Sequence, residues 1–305
     1  MKPPVLASLR SLFTDRLQEN IPLAGYTSAR IGGPADALLV VRSAEELAGA
    51  VTALWNEDLP FVLLGGGSNV LVSDQGVRGL VVINRARGVT VEERATPPGM
   101  RAESGATLND VAQRAARAGL TGLEWAATVP GTLGGAVYGN AGAFGGDMAS
   151  SLVSVELLHR KDGRQTWPAL RMDYDYRTSV LKRSHAPAVI LSARLALEPG
   201  DPQAIQEKMN GFSTARRQTQ PPGASLGSMF KNPTGDFAGR LIEAAGLKGT
   251  RIGNAEISPA HANFFVNHGE TRAADIQALI ELARKTVAEK SGIHLELEIE
   301  LIGEW

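Results

Sequence analysis

Apolar positions change period along the chain and so separate helices from strands. Leu47, Ala50, Val51 and Leu54 recur at helical spacing behind Ser43-Ala44-Glu45-Glu46, a capping-box start, and predict a helix to about Asn56. Leu108, Val111, Ala112 and Ala115 do the same behind Thr107 and Asp110, with Gly119 where a helix-ending glycine belongs. Further helices are predicted near 203–217 and 237–245. A long one is predicted over about 273–290: Ile276, Leu279, Ile280, Ala283 and Val287 share one face, and Gly292 stops it. Apolar runs at 61–64, 80–83 and 189–197 read as buried strands, and 70–72 as extended chain. The stretches 153–158 and 165–167 flank Asp162-Gly163, a hairpin signature. From Ile293 the chain alternates, with Leu295, Leu297, Ile299 and Leu301 on one face and His294, Glu296, Glu298 and Glu300 on the other. That pattern predicts one half-buried strand with an acidic face. The segment 130–146, PGTLGGAVYGNAGAFGG, is too rich in glycine for any regular element.

Helices and strands mix without strict alternation, which predicts an α+β fold rather than a doubly wound one. At 305 residues the chain exceeds one average domain, and the break at Glu198-Pro199-Gly200-Asp201-Pro202 is the best boundary. Hydrophobic content of 43% is enough for a sizeable core, and a net charge of −1 gives no basic surface for nucleic acid. No apolar run approaches the roughly 20 residues needed to span a bilayer. The basic N-terminal start is interrupted by Arg10 and Asp15, unlike a signal peptide. The absence of cysteine excludes disulfides, thiolate nucleophiles and cysteine-bound metal centres. Five histidines, none four residues from another, give no metal site. A cytoplasmic protein is expected.

Two glycine segments carry the candidate chemistry. Leu64 leads into Gly65-Gly66-Gly67-Ser68-Asn69, and extended chain resumes at Val70, so this loop joins strand to strand. Glycines let successive N–H groups approach a ligand and form a nest for phosphate oxygens. The chain contains neither G-x-x-x-x-G-K-[ST] nor G-x-G-x-x-G, which disfavours P-loop and Rossmann sites.

The stretch LLGGGSNVLVSD resembles the first FAD-pyrophosphate loop of the vanillyl-alcohol-oxidase-like (PCMH-type) flavoproteins. Five more segments accompany it: ARIGGPAD at 29–36, TVPGTLGGAVYGNAGAFGG at 128–146, DYDYRTS at 173–179, GSMFKNP at 227–233 and HANFFVN at 261–267. With these the chain resembles the UDP-N-acetylenolpyruvoylglucosamine reductase family over nearly its whole length. The resemblance implies two FAD-binding subdomains, 1–85 and 86–198, and a substrate-binding domain, 199–305. It implies FAD held without a covalent link by Gly65, Gly66, Gly67, Ser68, Asn69, Val70 and Leu71, and by Pro130, Gly131, Gly134, Gly135, Asn140, Ala141 and Gly142, with Arg30 beside the cofactor. It also implies that NADPH passes hydride to the flavin, and that the enolpyruvyl sugar nucleotide replaces the nicotinamide and is reduced and protonated.

By the same resemblance, Arg177 clamps the substrate carboxylate and Ser228 donates the proton, its hydroxyl biased by something such as Lys231. Glu298, its pKa raised by neighbouring carboxylates, bonds the enol-like carboxylate as a neutral acid. Lys231, Asn232, His261 and Asn263 match substrate-contacting positions. Position 300 departs from the pattern, with glutamate where many relatives have arginine, so Arg216, Arg217 or Arg251 is expected to substitute. The short connection between Ser179 and Val189 implies the subtype lacking a tyrosine-bearing loop over the substrate. The competing enzyme reading is an FAD-dependent oxidase or dehydrogenase acting on an alcohol or hydroxy acid. A binding module with a degenerate site is the competing non-enzyme.

Overall fold

The computed structural model describes residues 3–305. Met1 and Lys2, the start of the basic stretch read above, lie outside the described residues. Among the described residues no helix is long and apolar enough to cross a membrane.

Strand Pro34–Val41 leads through helix Ala44–Asn56 to strand Phe61–Leu64, and both strands run parallel to Val77–Asn84, which lies between them. Leu17–Pro22 closes the sheet antiparallel to Pro34–Val41. The helix starts as its sequence predicts. Ser43 Oγ accepts from the Glu46 N–H, and the Glu46 carboxylate accepts from the Arg42 N–H. Its apolar stripe packs on Leu39, Leu80 and Val82 of the sheet.

A five-stranded antiparallel sheet follows, in the order Gly163–Pro168, Leu152–His159, Ala188–Ala196, Gly99–Glu103, Val89–Glu92. His159 pairs with Gly163, so the Asp-Gly signature marks a hairpin with a three-residue loop. Helix Leu108–Arg117, capped by Thr107, packs into the same core.

The glycine-rich segment 130–146 is more ordered than its composition suggests. It forms helix Leu133–Gly139 and a small hairpin of Gly142–Ala143 with Gly146–Asp147. Leu133, Ala136 and Val137 bury one face of the helix. The carbonyls of Val137 and Tyr138 accept from Tyr174 Oη and Ser179 Oγ at 2.8 and 2.6 Å, and left-handed Asn140 ends the turn. These tertiary partners outweigh the roughly 1 kcal/mol that each helical glycine costs.

The break at 198–202 is not a free linker. Glu198–Pro199 pairs with Leu120–Thr121, and Ile205 and Met209 of helix Pro202–Thr219 are buried in the five-stranded sheet's core. Beyond it an antiparallel sheet, Ala224–Ser228, Phe264–Asn267, Ala255–Ile257 and Arg251–Ile252, shares a core with helices Ala238–Ala244 and Ala273–Ser291. The long helix buries the predicted face and ends at Gly292, while the Asp74 carboxylate caps its start through the Ala273 and Ala274 N–H groups.

The single alternating strand expected from Ile293 does not form. Regular pairing is confined to Glu300–Ile302, parallel to Val70–Val72, with one bridge from Leu297 to Phe230. Leu295 and Ile299 are buried, whereas Leu301 is 40% exposed. The peptides of this stretch bond to different partners in turn, so no one ladder imposes a two-residue period: Glu296 O takes the Lys231 N–H, Glu298 N–H goes to Met229 O, and Glu300 N–H goes to Asn69 O.

Candidate active site

The strand-to-strand glycine loop is pinned from behind. The Gly67 carbonyl accepts from Ser28 N–H, and the Gly65 carbonyl accepts from the Arg85 guanidinium at 3.2 Å. Gly67 has φ +60°, and a Cβ there would lie 2.0 Å from the Tyr26 carbonyl oxygen, so only glycine fits. The second glycine segment lies against the first: a Cβ on Gly66 would sit 3.0 Å from Gly131 Cα, and Ser68 Oγ donates to the Pro130 carbonyl.

Two cavities meet along this seam. The larger, about 680 Å³, runs from Trp55, Phe61 and Arg160 along Gly65 to Val70, and across to Gly134, Gly135 and Tyr138. The smaller, about 370 Å³, is lined by Pro130, Gly131, Ala141, Gly142, Arg177, Ser228 and Glu298. Ser68, Asn69, Thr132, Gly135, Gly139 and Lys182 border both. The result is a long cleft with the two glycine segments at its waist and two chambers in the size range of small-molecule sites, which suits an elongated dinucleotide.

Arg177, Ser228 and Glu298, 121 sequence positions apart at the extremes, meet on the smaller chamber. Arg177 sits in a tight turn at φ +57° and is held by its guanidinium, which donates to Gly142 O at 2.7 Å and Asn140 O at 3.4 Å. Its Nε lies 3.0 Å from Glu298 Oε1. Asn140 is buried and steadies the turn, donating to Asp175 O and accepting from Ala149 N–H. Ser228 ends a strand whose register to Phe264–Asn267 shifts between Ser225 and Ser228, and Gly227, at φ +74°, forms the irregularity that presents it.

Glu298 has its pKa raised, but the main cause is burial, against the lowering effects of Arg177, Lys182 and Lys231. The neighbouring carboxylates are not the cause, because each carries its own cation: Glu296 pairs with Lys231, and Glu300 pairs with Lys182 at 3.1 Å. Lys231 is therefore engaged by Glu296, at one remove from the serine it was expected to bias.

Other expected site residues lie outside the two chambers. Arg30 is exposed and lines neither, and Leu71 is buried in the C-terminal core. Asn232 Oδ1 accepts from Ala238 N–H at a helix start. His261 packs edge-on against Phe264 with its pKa lowered by burial. Asn263, 3% exposed, bonds both the N–H and the C=O of Phe230. Of the three arginines considered for the missing cation, only Arg216 reaches the smaller chamber. Arg217 bonds Ser213 and Thr214, and Arg251 bonds Glu256. Lys182, Phe144 and Gln220 also line it and were missed. The one available signal was Lys182 falling five residues after Arg177, on helix Val180–Ser184.

Residues 35–167 match a family model described as an FAD binding domain, and residues 218–302 match the C-terminal domain of UDP-N-acetylenolpyruvoylglucosamine reductase. The UDP-N-acetylenolpyruvoylglucosamine reductase of Chloroflexus aggregans is 45% identical over 291 residues, 94% of this chain and 97% of that one. The protein of the same name from Rubrobacter xylanophilus is 45% identical over 287 residues, 93% and 94% of the two chains. The crystal structure of the reductase from Thermus caldophilus superposes with a TM-score of 0.78 at 36% identity, covering 94% of this chain and 98% of that one.

Proposed function

The chain belongs to the UDP-N-acetylenolpyruvoylglucosamine reductase family, and on that premise we propose that it reduces UDP-N-acetylglucosamine enolpyruvate to UDP-N-acetylmuramate, a step of peptidoglycan precursor synthesis, using FAD and NADPH. The observation that carries this reading is the convergence of Arg177, Ser228 and Glu298 on a chamber continuous with the glycine-loop cleft.

Residues 65–70 would hold the cofactor from one side and residues 130–142 from the other, the glycine-loop N–H groups being the donors offered to its diphosphate. When bound, FAD supplies the hydride transfer from NADPH to the enolpyruvyl group. Arg177, fixed by Asn140, Gly142 and Glu298, offers its guanidinium to the substrate carboxylate and stabilises the negative charge that builds there. Glu298, which burial biases toward its neutral form, donates a hydrogen bond to the same carboxylate as it becomes enol-like. Ser228, presented at the chamber wall, delivers the proton to the adjacent carbon.

Arg216, which lines the smaller chamber and also donates to the Thr128 carbonyl, would take the electrostatic role left vacant by glutamate at position 300. Asn263 supports the loop that carries Ser228 and Lys231 rather than touching substrate, and Asn232 braces the start of helix Ala238–Ala244 through its Oδ1. Residues 1–85 and 86–198 act as cofactor-binding units and 199–305 as the substrate unit, with Ile205 and Met209 of the last packed into the second unit's core and Leu71 of the first packed into the third's.

The test is direct. The purified protein should be yellow, and NADPH oxidation should depend on the enolpyruvyl sugar nucleotide. A colourless protein, or NADPH turnover indifferent to that substrate, overturns the proposal.

A further inference from the structure

Both hydrogen-bonding ends of Asn69 are turned onto the segment that carries Glu298. Its side-chain amide donates to the Glu298 carbonyl at 3.0 Å, and its main-chain carbonyl accepts from the Glu300 N–H at 2.9 Å. The two bonds bracket the peptides that follow Glu298. The peptide that precedes it is held from the opposite side, where Glu298 N–H donates to Met229 O at 3.0 Å, one residue past Ser228. Beyond Asn69, Val70–Val72 pairs in parallel with Glu300–Ile302 and continues the strap. Asn69 also borders both chambers, at the waist of the cleft. A residue of the glycine loop thus spends its amide donor on the backbone of the acid rather than reserving it for a phosphate.

We propose that Asn69 is a positioning residue for Glu298, and that it couples the occupied state of the glycine loop to the placement of that carboxyl beside Arg177. This inference rests on the function proposed above and deepens it. Movement of the loop from Gly65 to Leu71 is transmitted to residues 298–300 through two hydrogen bonds and a short parallel ladder. Glu298 has little slack, because the same peptide run is tied to Met229 and its side chain is 3.0 Å from Arg177 Nε. Loss of the amide donor releases the Glu298 carbonyl while leaving the glycines and the main-chain bond in place.

The test compares wild type with Asn69→Ala and with Asn69→Leu, which keeps the volume of the side chain and loses the donor. Flavin affinity is measured by fluorescence titration of the apoprotein. At saturating FAD, stopped flow then follows the bleaching of flavin by NADPH and its reoxidation by the enolpyruvyl sugar nucleotide as separate events. Relative to any change in bleaching, both variants should reoxidise about fivefold more slowly than wild type, the effect of one hydrogen bond of roughly 1 kcal/mol. The pH limb of reoxidation that titrates with Glu298 should also move.

An equal loss in both half-reactions, or weakened flavin affinity with unchanged reoxidation, would make Asn69 a cofactor ligand only and overturn the proposal. Hydrogen exchange supplies a readout independent of turnover. FAD loading should slow exchange of the 296–302 amides in wild type, and that protection should fall about fivefold in the variants; equal protection overturns the coupling. Wild-type flavin that the sugar nucleotide fails to reoxidise counts against the proposed function, whereas the exchange comparison still decides the role of Asn69.

Discussion

Replacing Asn263 with alanine separates a structural lock from a substrate ligand. The Asn263 side chain accepts from Phe230 N–H at 2.9 Å and donates to Phe230 C=O at 2.8 Å, acting as a one-residue strand partner. Phe230 is 0% and Asn263 3% exposed, so water does not replace these bonds. The substitution leaves one donor and one acceptor unpaired in the core. At roughly 1–3 kcal/mol for each stranded group, the expected destabilisation is about 2–6 kcal/mol.

The assay is equilibrium urea unfolding followed by circular dichroism, read as a lowered midpoint at unchanged slope. Because Phe230 lies two residues beyond Ser228, the surviving enzyme should lose kcat with little change in KM. An Asn263→Ala protein within about 0.5 kcal/mol of wild type, with KM raised and kcat kept, would refute the lock and restore Asn263 as a substrate contact.

Glu298 makes a prediction about pH. Burial raises its folded-state pKa above the unfolded value, so the native chain holds this proton to higher pH and stability is lost as pH rises between the two values. Glu298→Gln should therefore unfold at a higher temperature than wild type near pH 7, the gap closing below the unfolded value of about 4.3, while substrate reduction slows. A midpoint difference that does not change with pH contradicts the burial argument. At Gly135 an added Cβ meets nothing nearer than Thr132 Oγ1 at 3.8 Å, and it projects into a helix face that borders both chambers. Gly135→Ala should hold or raise stability by up to ~1 kcal/mol through helix propensity yet weaken FAD in a fluorescence titration; unchanged affinity argues against cofactor at that wall. Asp74→Ala removes the cap of helix Ala273–Ser291 and should cost about 1 kcal/mol in thermal denaturation, with an unaltered melting temperature as the contrary result.

Local chemistry made much of the fold legible. Helices Ala44–Asn56 and Ala273–Ser291 follow from apolar spacing, because their caps and stops lie within a few residues of the elements they bound. Helix Leu133–Gly139 was hidden because its C-terminal carbonyls are satisfied from about 40 residues away, by Tyr174 and Ser179. The alternation after Ile293 misled because a two-residue period reports a strand only where one continuous ladder enforces it. Within the site, Arg177, Ser228 and Glu298 were readable as motif residues. Their meeting, and the arrival of Lys182 and Arg216 beside them, depends on how separate units pack. The cause of the raised Glu298 pKa was illegible for the same reason: alternation put three carboxylates on one face, and only the fold gave two of them lysine partners.

The parallel pairing of Val70–Val72 with Glu300–Ile302 sets an order of assembly during synthesis. The glycine loop leaves the ribosome early, but its following strand waits some 230 residues for a ladder partner. Until then that strand is an open edge, and the anchor that Asn69 O offers to Glu300 N–H is unfilled. The cleft's first-made wall is therefore completed only after residues 300–302 have been made.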